Sequence, residues 1–321
     1  MRVRTRFSGI SAGTELAAYR GTNPYLTRRW DPEQRLFRNG ADTLAYPLTG
    51  WGYSEVGEVT EVAPDIADDP ATPQVGTLVW GIWGHRSEAV LPAGKLAGHE
   101  VPAGLDPLAA TFARVGAVAL TAVHAADLHL GETVAVFGQG VIGLLATRLA
   151  VLSGATVIAV DAIDARLQQA AAFGAHHALD ARTGDVGEQV KALTGGLGAD
   201  TAIEISGAYP ALHEAIRTVA PAGRVVAAGF YQGEATALRL GEEFHHNRVE
   251  IVTAQIGGVR PGMWLRWDQD RLNRTFLRLA AAGQIDPAAL ITHTVPVAQA
   301  PDIYRLLDDR PADALQTILE F

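Results

Sequence analysis

The chain has 321 residues, enough for two domains with substantial hydrophobic cores. Its formal net charge of −9 argues against nucleic acid or an anionic membrane as a main partner. The absence of cysteine excludes disulfides, thiolate nucleophiles and every cysteine-ligated zinc or iron–sulfur site. No apolar run is long enough to cross a bilayer and no signal peptide is visible, so we expect a cytoplasmic protein.

The first part of the chain, to about residue 122, is rich in short β patterns, turns and prolines. The segment 1–6 and the segment 56–62 alternate as half-exposed strands do, and 78–80 and 89–91 predict two further strands. Residues 20–46 form a polar, arginine-bearing insertion. Two interpretations of it stay open, a lid over a site or a long surface loop.

A glycine-rich turn follows in the middle of the chain. The apolar run 133–137 predicts a buried strand, Gly138-Gln139-Gly140-Val141-Ile142-Gly143 comes next, and 141–152 has the pattern of a helix. A second strand, 156–160, ends at Asp161. Strand, glycine turn, helix, strand and terminal acid together predict a dinucleotide-binding unit, in which the helix N-terminus faces the pyrophosphate.

The acid at the end of the second strand indicates which dinucleotide is bound. The carboxylate of Asp161 can accept hydrogen bonds from ribose hydroxyls and would repel a 2′-phosphate, which favours NAD(H) over NADP(H). Arg166, one helical turn further on, could soften that preference. The alternative is that Asp161 or Asp164 only caps the following helix; Asp164 is the better placed of the two, which would leave Asp161 free.

Strand and helix patterns keep alternating to about residue 259. Helices are predicted at 164–173, 185–194 and 210–219, and strands near 178–179 and at 201–205, 224–228 and 249–254. This alternation predicts a doubly wound parallel sheet. Residues 260–321 return to mixed character, with helices near 268–282 and 298–308 and a terminal strand at 316–321, and we expect this tail to rejoin the first domain.

At this point the chain resembles the medium-chain dehydrogenase/reductase family over essentially its whole length. The resemblance is carried by 9–15 (GISAGTE), 52–59 (GYSEVGEV), the glycine turn and 228–230 (AGF). It implies an α/β protein with a GroES-like, β-rich catalytic domain, 1–122 with 260–321, and a Rossmann NAD-binding domain, 123–259. The segments 291–293 and 317–321 look like the branch that includes bacteriochlorophyllide hydroxyethyl dehydrogenase.

The positions that hold catalytic zinc in this family carry other residues here. Matched by motif, the cysteine position is Ala12, the histidine–glutamate pair is Tyr53 and Ser54, and the remaining ligand falls near Arg114. None of these is a good zinc ligand, and an arginine opposes a cation. The family's structural zinc needs a cysteine quartet that the chain lacks. The sequence therefore predicts a zinc-independent member.

Side chains at those positions are the candidates for handling the substrate oxygen. Tyr53 is the first candidate as proton donor or acceptor, and Arg114 could favour its phenolate and stabilise an alkoxide. Thr14 matches the family's proton-relay hydroxyl, and Glu15 matches the acid behind the lost histidine, so it could orient Tyr53 or pair with Arg114. A purely structural role for all four, in filling the zinc position and forming an ion pair, stays open.

The remaining site residues are assigned by position. Three tryptophans and a histidine in segments that line the family's cleft are candidates for substrate contact, with core packing as the alternative: Trp51, Trp80, Trp83 and His85. The predicted cofactor-binding residues are Gly138, Gln139, Gly140, Val141, Ile142, Gly143, Asp161, Arg166, Ser206, Gly207, Gly229 and Phe230. The pair His245-His246 is rejected as a metal site, because adjacent residues on a helix or strand chelate poorly.

These observations predict an NAD(H)-dependent oxidoreductase without zinc that interconverts a secondary alcohol and a ketone on a polyol, sugar, cyclitol or ring-bearing substrate. The alternatives are reduction of an activated C=C bond, as in the quinone and enoyl reductases, redox-neutral use of NAD, and a non-catalytic nucleotide-binding protein. We expect a small-molecule substrate, neither nucleic acid nor membrane as partner, and a homodimer or homotetramer paired through strand 249–254.

Overall fold

The computed structural model describes residues 1–40 and 44–321. The chain divides into two compact units, Met1–Phe112 with Ala288–Phe321 and Ala113–Pro287. The domains predicted from the sequence, with limits at 122/123 and 259/260, are defined by function, whereas these two units are defined by compactness. The predicted limits therefore stay a prediction.

Strands and helices of the described residues are numbered in chain order. The strands are β1 (Arg2–Ile10), β2 (Arg28–Asp31), β3 (Leu36–Asn39), β4 (Glu55–Glu61), β5 (Leu78–Gly81), β6 (Glu88–Val90), β7 (Thr133–Phe137), β8 (Thr156–Asp161), β9 (His177–Asp180), β10 (Ala199–Glu204), β11 (Val219–Ala227), β12 (Glu250–Thr253), β13 (Ile291–Pro296) and β14 (Gln316–Glu320). The helices are α1 (Ala12–Tyr19), α2 (Pro107–Ala110), α3 (Ala113–Ala126), α4 (Val141–Leu152), α5 (Asp164–Ala172), α6 (Val186–Leu193), α7 (Tyr209–Thr218), α8 (Glu243–Asn247), α9 (Gln269–Ala281) and α10 (Ala300–Asp309).

The first unit is built on a β sheet. Its strand order is β13-β14-β1-β4-β5, with β6 also paired to β1. In β1 the side chains of Arg2 and Arg4 are exposed while those of Val3 and Thr5 are buried, so the alternation seen in the sequence is the inside–outside pattern of the strand. The terminal strand β14 lies antiparallel beside β1, whereas residues 260–287 of the predicted tail belong to the second unit.

The second unit is a six-stranded parallel sheet in the order β12-β11-β10-β7-β8-β9. Its core combines apolar side chains of the central strands with those of α6 and α7, including Ile158, Ala202 and Ile216. Strand β7 and helix α4 have the predicted bounds. The predicted α/β class with a doubly wound parallel sheet is therefore confirmed.

A small residue brings two helices of the second unit together. A Cβ added to Gly116 of α3 would lie 2.1 Å from Cγ of Phe276 of α9, so the phenyl ring packs directly on the α3 backbone. Phe276 is fully buried. The close approach of the two helices depends on the absence of a side chain at Gly116.

The insertion at 20–46 contains regular structure that the sequence reading did not predict. Strands β2 and β3 form an antiparallel hairpin in which Trp30 pairs with Phe37. The rings of Trp30 and Phe37 meet edge to face at 5.1 Å, and that of Tyr25 lies 5.5 Å from that of Phe37. Residues 41–43 of the insertion lie outside the described residues.

Within the described ranges, 1–40 and 44–321, the helices all fall short of the length and apolar character that crossing a membrane requires.

Candidate active site

Three glycines shape the turn between β7 and α4. Gly138 has a φ of +89°, and Gly143 packs so closely that an added Cβ would lie 1.7 Å from the carbonyl oxygen of Gly138. Gly140 is the N-cap residue of α4, and the space around a Cβ added there is open to 4 Å. Gly138 and Gly143 let the turn close on itself, and Gly140 leaves room for a ligand at the helix N-terminus.

Gln139 has a structural role inside this turn. Its side chain is fully buried, donates to the carbonyl of Val136 at 2.8 Å and accepts from Thr147 Oγ1 at 3.0 Å. These bonds tie the end of β7 to α4. The turn is thereby held in one conformation before any ligand arrives.

Asp161 ends β8 with its carboxylate already engaged. Its Oδ2 accepts from the backbone N of Gln139 at 2.6 Å, and its Oδ1 accepts from the backbone N of Ile163 at 2.9 Å. A carboxylate has about four lone-pair positions, so capacity for ribose hydroxyls remains. The expectation that the Asp161 carboxylate is left free is thus wrong. The carboxylate stabilises the glycine turn by accepting from the N–H of Gln139, and it also accepts from the N–H of Ile163, the N-cap residue of α5.

The matching expectation for Asp164 is also wrong. The N-cap residue of α5 is Ile163, which provides no side-chain cap, and Asp164 is the first residue of the helix. Its carboxylate instead accepts from Arg182 at 2.6 Å. Arg166 lies in the first turn of α5, five residues beyond Asp161.

Glu204, which the sequence reading did not select, organises the ends of the neighbouring strands. It is fully buried at the carboxyl end of β10 and accepts from the backbone N of Ser206 at 2.8 Å and of Gly207 at 3.2 Å. The hydroxyls of Ser206 and Tyr231 also donate to it. Burial raises the pKa of the Glu204 carboxyl, against the opposing effect of these bonds.

The predicted site residues near Glu204 lie just beyond the strands rather than within them. Strand β10 ends at Glu204 and β11 at Ala227, so Ser206 and Phe230 belong to the loops that follow. Gly229 packs on Gly207, where an added Cβ would lie 2.3 Å from the backbone N. These loops follow the carboxyl ends of parallel strands, the edge at which open α/β sheets bind their ligands.

In the first unit, Tyr53 and Thr14 belong to neighbouring segments. Tyr53 is half-buried, and its hydroxyl donates to Oγ of Ser11, the residue before α1. Thr14 is exposed in the first turn of α1.

Glu15 is the centre of a polar cluster in this unit. It is 3% exposed, and its Oε1 accepts from the backbone N of Ser11 at 2.7 Å. Its Oε2 lies 2.9 Å from His85 Nε2 and also accepts from the hydroxyl of Tyr304. The sequence analysis offers Tyr53 and Arg114 as partners of Glu15. In the structure Glu15 forms hydrogen bonds with His85 and Tyr304, and its connection to Tyr53 passes through Ser11.

Two of the three predicted aromatic contacts are core residues of the first unit. Trp80 is 3% exposed and stacks on His99 with ring centroids 3.9 Å apart. Trp83 is 5% exposed and its ring Nε1 donates to Thr5 Oγ1. Trp51 is half-buried and its carbonyl accepts from the backbone N of His85 at 2.6 Å. Trp80 and Trp83 are therefore packed in the core, which was the alternative to substrate contact. A contact of any of the three tryptophans with substrate stays a prediction.

The residues at the family's zinc-ligand positions do not fit a catalytic zinc. Ala12 offers no donor atom, Ser54 offers only a buried neutral hydroxyl, and Arg114 donates from Nη1 to Gln269 Oε1 at 3.0 Å. Zinc sites are built from thiolates, imidazoles and carboxylates. Among residues 1–40 and 44–321, the His213, Glu242 and Glu243 group alone has three or more such side chains close enough to share an ion.

Comparison with known proteins agrees with the fold. A family model described as zinc-binding dehydrogenase matches residues 141–268. The chain is 30% identical over 329 aligned residues to D-guloside 3-dehydrogenase of Escherichia coli (strain K12), an alignment that covers 100% of this chain and 93% of that protein. A sorbitol dehydrogenase of Halalkalibacterium halodurans is 27% identical over 69% of this chain and 61% of its own length.

Solved structures show the same fold. A putative zinc-binding dehydrogenase from Sinorhizobium meliloti 1021 bound to NADP superposes with a TM-score of 0.77 at 22% identity, over 100% of this chain and 92% of that one. Galactitol-1-phosphate dehydrogenase from Escherichia coli superposes with a TM-score of 0.76 at 19% identity, with the same coverage. Fold and sequence together define the class: the chain belongs to the medium-chain zinc-binding dehydrogenase family.

Proposed function

We propose that this protein is a nicotinamide-dependent oxidoreductase that interconverts a secondary alcohol and a ketone on a polyol- or sugar-like substrate, with NAD(H) as its cofactor and without catalytic zinc. The substrate class is supported by the relatives, whose names specify guloside, sorbitol and galactitol phosphate. The observation that carries the proposal is the glycine turn: Gly140 opens space at the N-terminus of α4, beside the acid that ends β8.

The residues that would hold the cofactor are those of the turn and the following strand ends. The first backbone N–H groups of α4 would face the pyrophosphate, Asp161 the ribose, and the loops at Ser206 and Phe230 the nicotinamide end. When bound, the nicotinamide supplies hydride acceptance and donation at carbon. The chain itself must bind the alcohol, orient it and move the hydroxyl proton.

The proposed proton route uses the residues that replace the zinc ligands. In the oxidation direction Tyr53, as a phenolate, accepts the hydroxyl proton of the alcohol and becomes a phenol, and Thr14 relays that proton toward solvent, since Thr14 is exposed in the first turn of α1. Arg114 supplies positive charge for the developing alkoxide. The residue patterns of the sequence support two further assignments: functional domains 1–122 with 260–321 and 123–259, and, from the segments 291–293 and 317–321, membership of the branch that includes bacteriochlorophyllide hydroxyethyl dehydrogenase.

The test is turnover of a polyol and sugar panel with Tyr53→Phe. Loss of the hydroxyl should lower kcat by about 10²-fold or more, which is the usual contribution of a positioned acid or base. Tyr46→Phe is the matched control, because Tyr46 is 56% exposed and also donates its hydroxyl, to the Ala18 carbonyl. Near-full turnover by Tyr53→Phe would remove Tyr53 from the proton route.

Metal analysis and cofactor preference test the other parts. We expect purified, active protein to carry no stoichiometric zinc and to keep its turnover in the presence of a chelator. Turnover abolished by chelation and restored by zinc would contradict zinc independence. A clear preference for NADPH with an enone substrate would favour the reduction of an activated C=C bond instead.

A further inference from the structure

Four side chains of the first unit form an unbroken hydrogen-bonded row. Glu15 Oε2 lies 2.9 Å from His85 Nε2, and His85 Nδ1 lies 2.7 Å from Ser8 Oγ. Ser8 Oγ in turn lies 3.0 Å from Glu55 Oε1. The row joins α1, the loop between β5 and β6, β1 and β4, and both of its ends are carboxylates that are buried to 97% or more.

When both carboxylates are ionised, counting hydrogens selects one protonation state for this row. Burial raises the pKa of the Glu55 carboxyl, and the bonds from the Trp83 N–H and the Ser8 hydroxyl, with the charge of His85, oppose that effect. Ser8 has a single hydroxyl hydrogen, and an ionised Glu55 can only accept. If Nδ1 of His85 carried no hydrogen, Ser8 would have to donate both to Nδ1 and to Glu55, and one acceptor would be lost. If both ring nitrogens carry hydrogen, Nε2 donates to Glu15, Nδ1 to Ser8 and Ser8 to Glu55, so every bond has one donor.

The charges around the ring favour the same state. The titratable groups that face His85 are Glu15 from α1 and Glu55 from β4, with the Tyr304 hydroxyl of α10 donating to Glu15 from its other side. Burial lowers the pKa of His85, but its hydrogen bond to Glu15 and the charges of both carboxylates outweigh burial and raise it. A buried cation between two buried acids also relieves the cost of burying those acids.

The backbone at Gly52 packs tightly against His85 and Glu55. Gly52 has a φ of +107°, and a Cβ added there would lie 2.7 Å from Glu55 Oε1 and 2.9 Å from His85 Cε1. Trp83 holds the other carboxylate oxygen of Glu55, through a backbone N–H bond of 2.8 Å. The ring and the carboxylate therefore have little freedom to move apart.

The row reaches Tyr53, the residue of the proposed proton route, through Glu15. The second carboxylate oxygen, Oε1, accepts from the backbone N of Ser11 at 2.7 Å, and the hydroxyl of Ser11 accepts from Tyr53. We propose that His85 is a positioning residue: held as an imidazolium between Glu15 and the Ser8–Glu55 pair, it fixes Glu15, and thereby Ser11 and the hydroxyl of Tyr53. The inference rests on the proposed function for the role of Tyr53, but the charge of His85 can be measured without substrate.

The first experiment reads the imidazole directly. Nitrogen chemical shifts of ¹⁵N-histidine-labelled protein, with His85→Gln used to assign the signals, should show both His85 nitrogens protonated at pH 7. Ser8→Ala should lower the pH at which the ring loses its proton by about one unit or more, because Nδ1 loses its acceptor and its link to Glu55. A neutral His85 ring at pH 7 in the unaltered protein would overturn the proposal.

The second experiment reads the consequence for turnover. His85→Gln should lower kcat by about tenfold with little change in KM, because a displaced Tyr53 slows the step more than it weakens binding. It should also change the pH profile of kcat. His129→Gln is the matched control, since His129 lies 3.2 Å from Glu132 in an exposed pair, and it should behave like the unaltered protein. An unchanged kcat and pH profile in folded His85→Gln would overturn the positioning role.

The two proposals fail in different ways. If Tyr53→Phe keeps full turnover while His85 is doubly protonated, the proposed proton route is wrong and the positioning role falls with it, although the charged row is real. If Tyr53→Phe loses turnover while the His85 ring is neutral at pH 7, the proton route stands and the inference about His85 is wrong.

Discussion

At the scale of single residues, two glycines in one turn are constrained by different neighbours. A Cβ on Gly143 would collide with the Gly138 carbonyl at 1.7 Å, whereas a Cβ on Gly140 would meet nothing within 4 Å. The first glycine is therefore required by the folded chain itself. The second is required only if a ligand approaches the helix N-terminus.

This difference gives a paired prediction. Gly143→Ala should lower the free energy of unfolding by about 1–3 kcal/mol or more, because the backbone must shift to admit the methyl group. Gly140→Ala should leave the free energy of unfolding nearly unchanged and weaken NADH binding. Urea unfolding and fluorescence titration measure the two quantities. Tight NADH binding by Gly140→Ala would argue against a pyrophosphate at this helix.

The carboxylate of Asp161 gives a second prediction at this scale. In Asp161→Ala the ratio of kcat/KM for NAD to that for NADP should fall by at least about tenfold, because hydrogen bonds to the ribose and repulsion of a 2′-phosphate are both lost. Some stability should be lost as well, since the Gln139 and Ile163 N–H groups lose their acceptor. The ratio compares two cofactors on one variant and so is independent of stability.

Asp164→Ala is the control for that measurement. Asp164 lies three residues further on, is exposed, and pairs with Arg182 rather than with the glycine turn. Its cofactor ratio should equal that of the unaltered protein. A ratio that is unchanged in Asp161→Ala would contradict the assignment of Asp161 to the ribose.

At the scale of elements, the side chain of His124 lies between helix α3 and the segment that leads into helix α9. His124 of α3 lies edge-on to Trp267, the residue before the N-cap of α9, with ring centroids 4.4 Å apart. The guanidinium of Arg271 lies 4.3 Å from the same indole ring. Burial, with a smaller contribution from the charge of Arg271, lowers the pKa of His124 from 6.5 to about 4.

Stability should therefore depend on pH through His124. Between about pH 6.5 and pH 4 the unfolded chain binds a proton at this position that the folded chain does not, so the free energy of unfolding falls as the pH falls. The loss should be on the order of 3 kcal/mol. His124→Leu should remove that part of the slope, as measured by urea unfolding at a series of pH values.

The control for this slope is His129→Leu, which replaces a histidine whose side chain is 73% exposed. It should leave the slope between pH 6.5 and pH 4 as it is in the unaltered protein. Equal slopes in His124→Leu and the unaltered protein would show that the ring of His124 can be protonated without disturbing α3 and α9.

At the scale of the whole molecule, the proposed assembly depends on an edge strand. Strand β12 pairs with β11 on one side and ends the six-stranded sheet on the other. The backbone N of Ala254 donates to the carbonyl of Ala227, so the alternation of a strand directs the N–H of Thr253 away from β11. We therefore expect that N–H to pair with a second copy across a twofold axis.

Thr253→Pro should therefore weaken association. The variant removes the outward N–H, and we expect a shift from dimer or tetramer toward a smaller species in light scattering coupled to size-exclusion chromatography. Thr253→Val keeps the N–H and the side-chain shape and should assemble normally. An unaltered protein that is monomeric at high concentration would contradict pairing through β12.

Local patterns were sufficient to predict much of the fold. The strand at 133–137 and the helix at 141–152 have the predicted bounds because apolar period, glycine and helix start all lie within a few residues of each other. The hairpin at 28–39 was not predicted, because its strands are short and expose most of their side chains, so the alternation that marks a half-buried strand is absent.

Only the tertiary structure decided which polar groups meet. The sequence determined the glycine turn between β7 and α4, the family and the absence of cysteine, since each depends on residues close together in the chain or on composition. Glu15 is 289 residues from Tyr304 and 70 from His85, and Glu204 is 27 from Tyr231. Their contacts depend on strand order and on which side chains are removed from water together, and no local pattern encodes either.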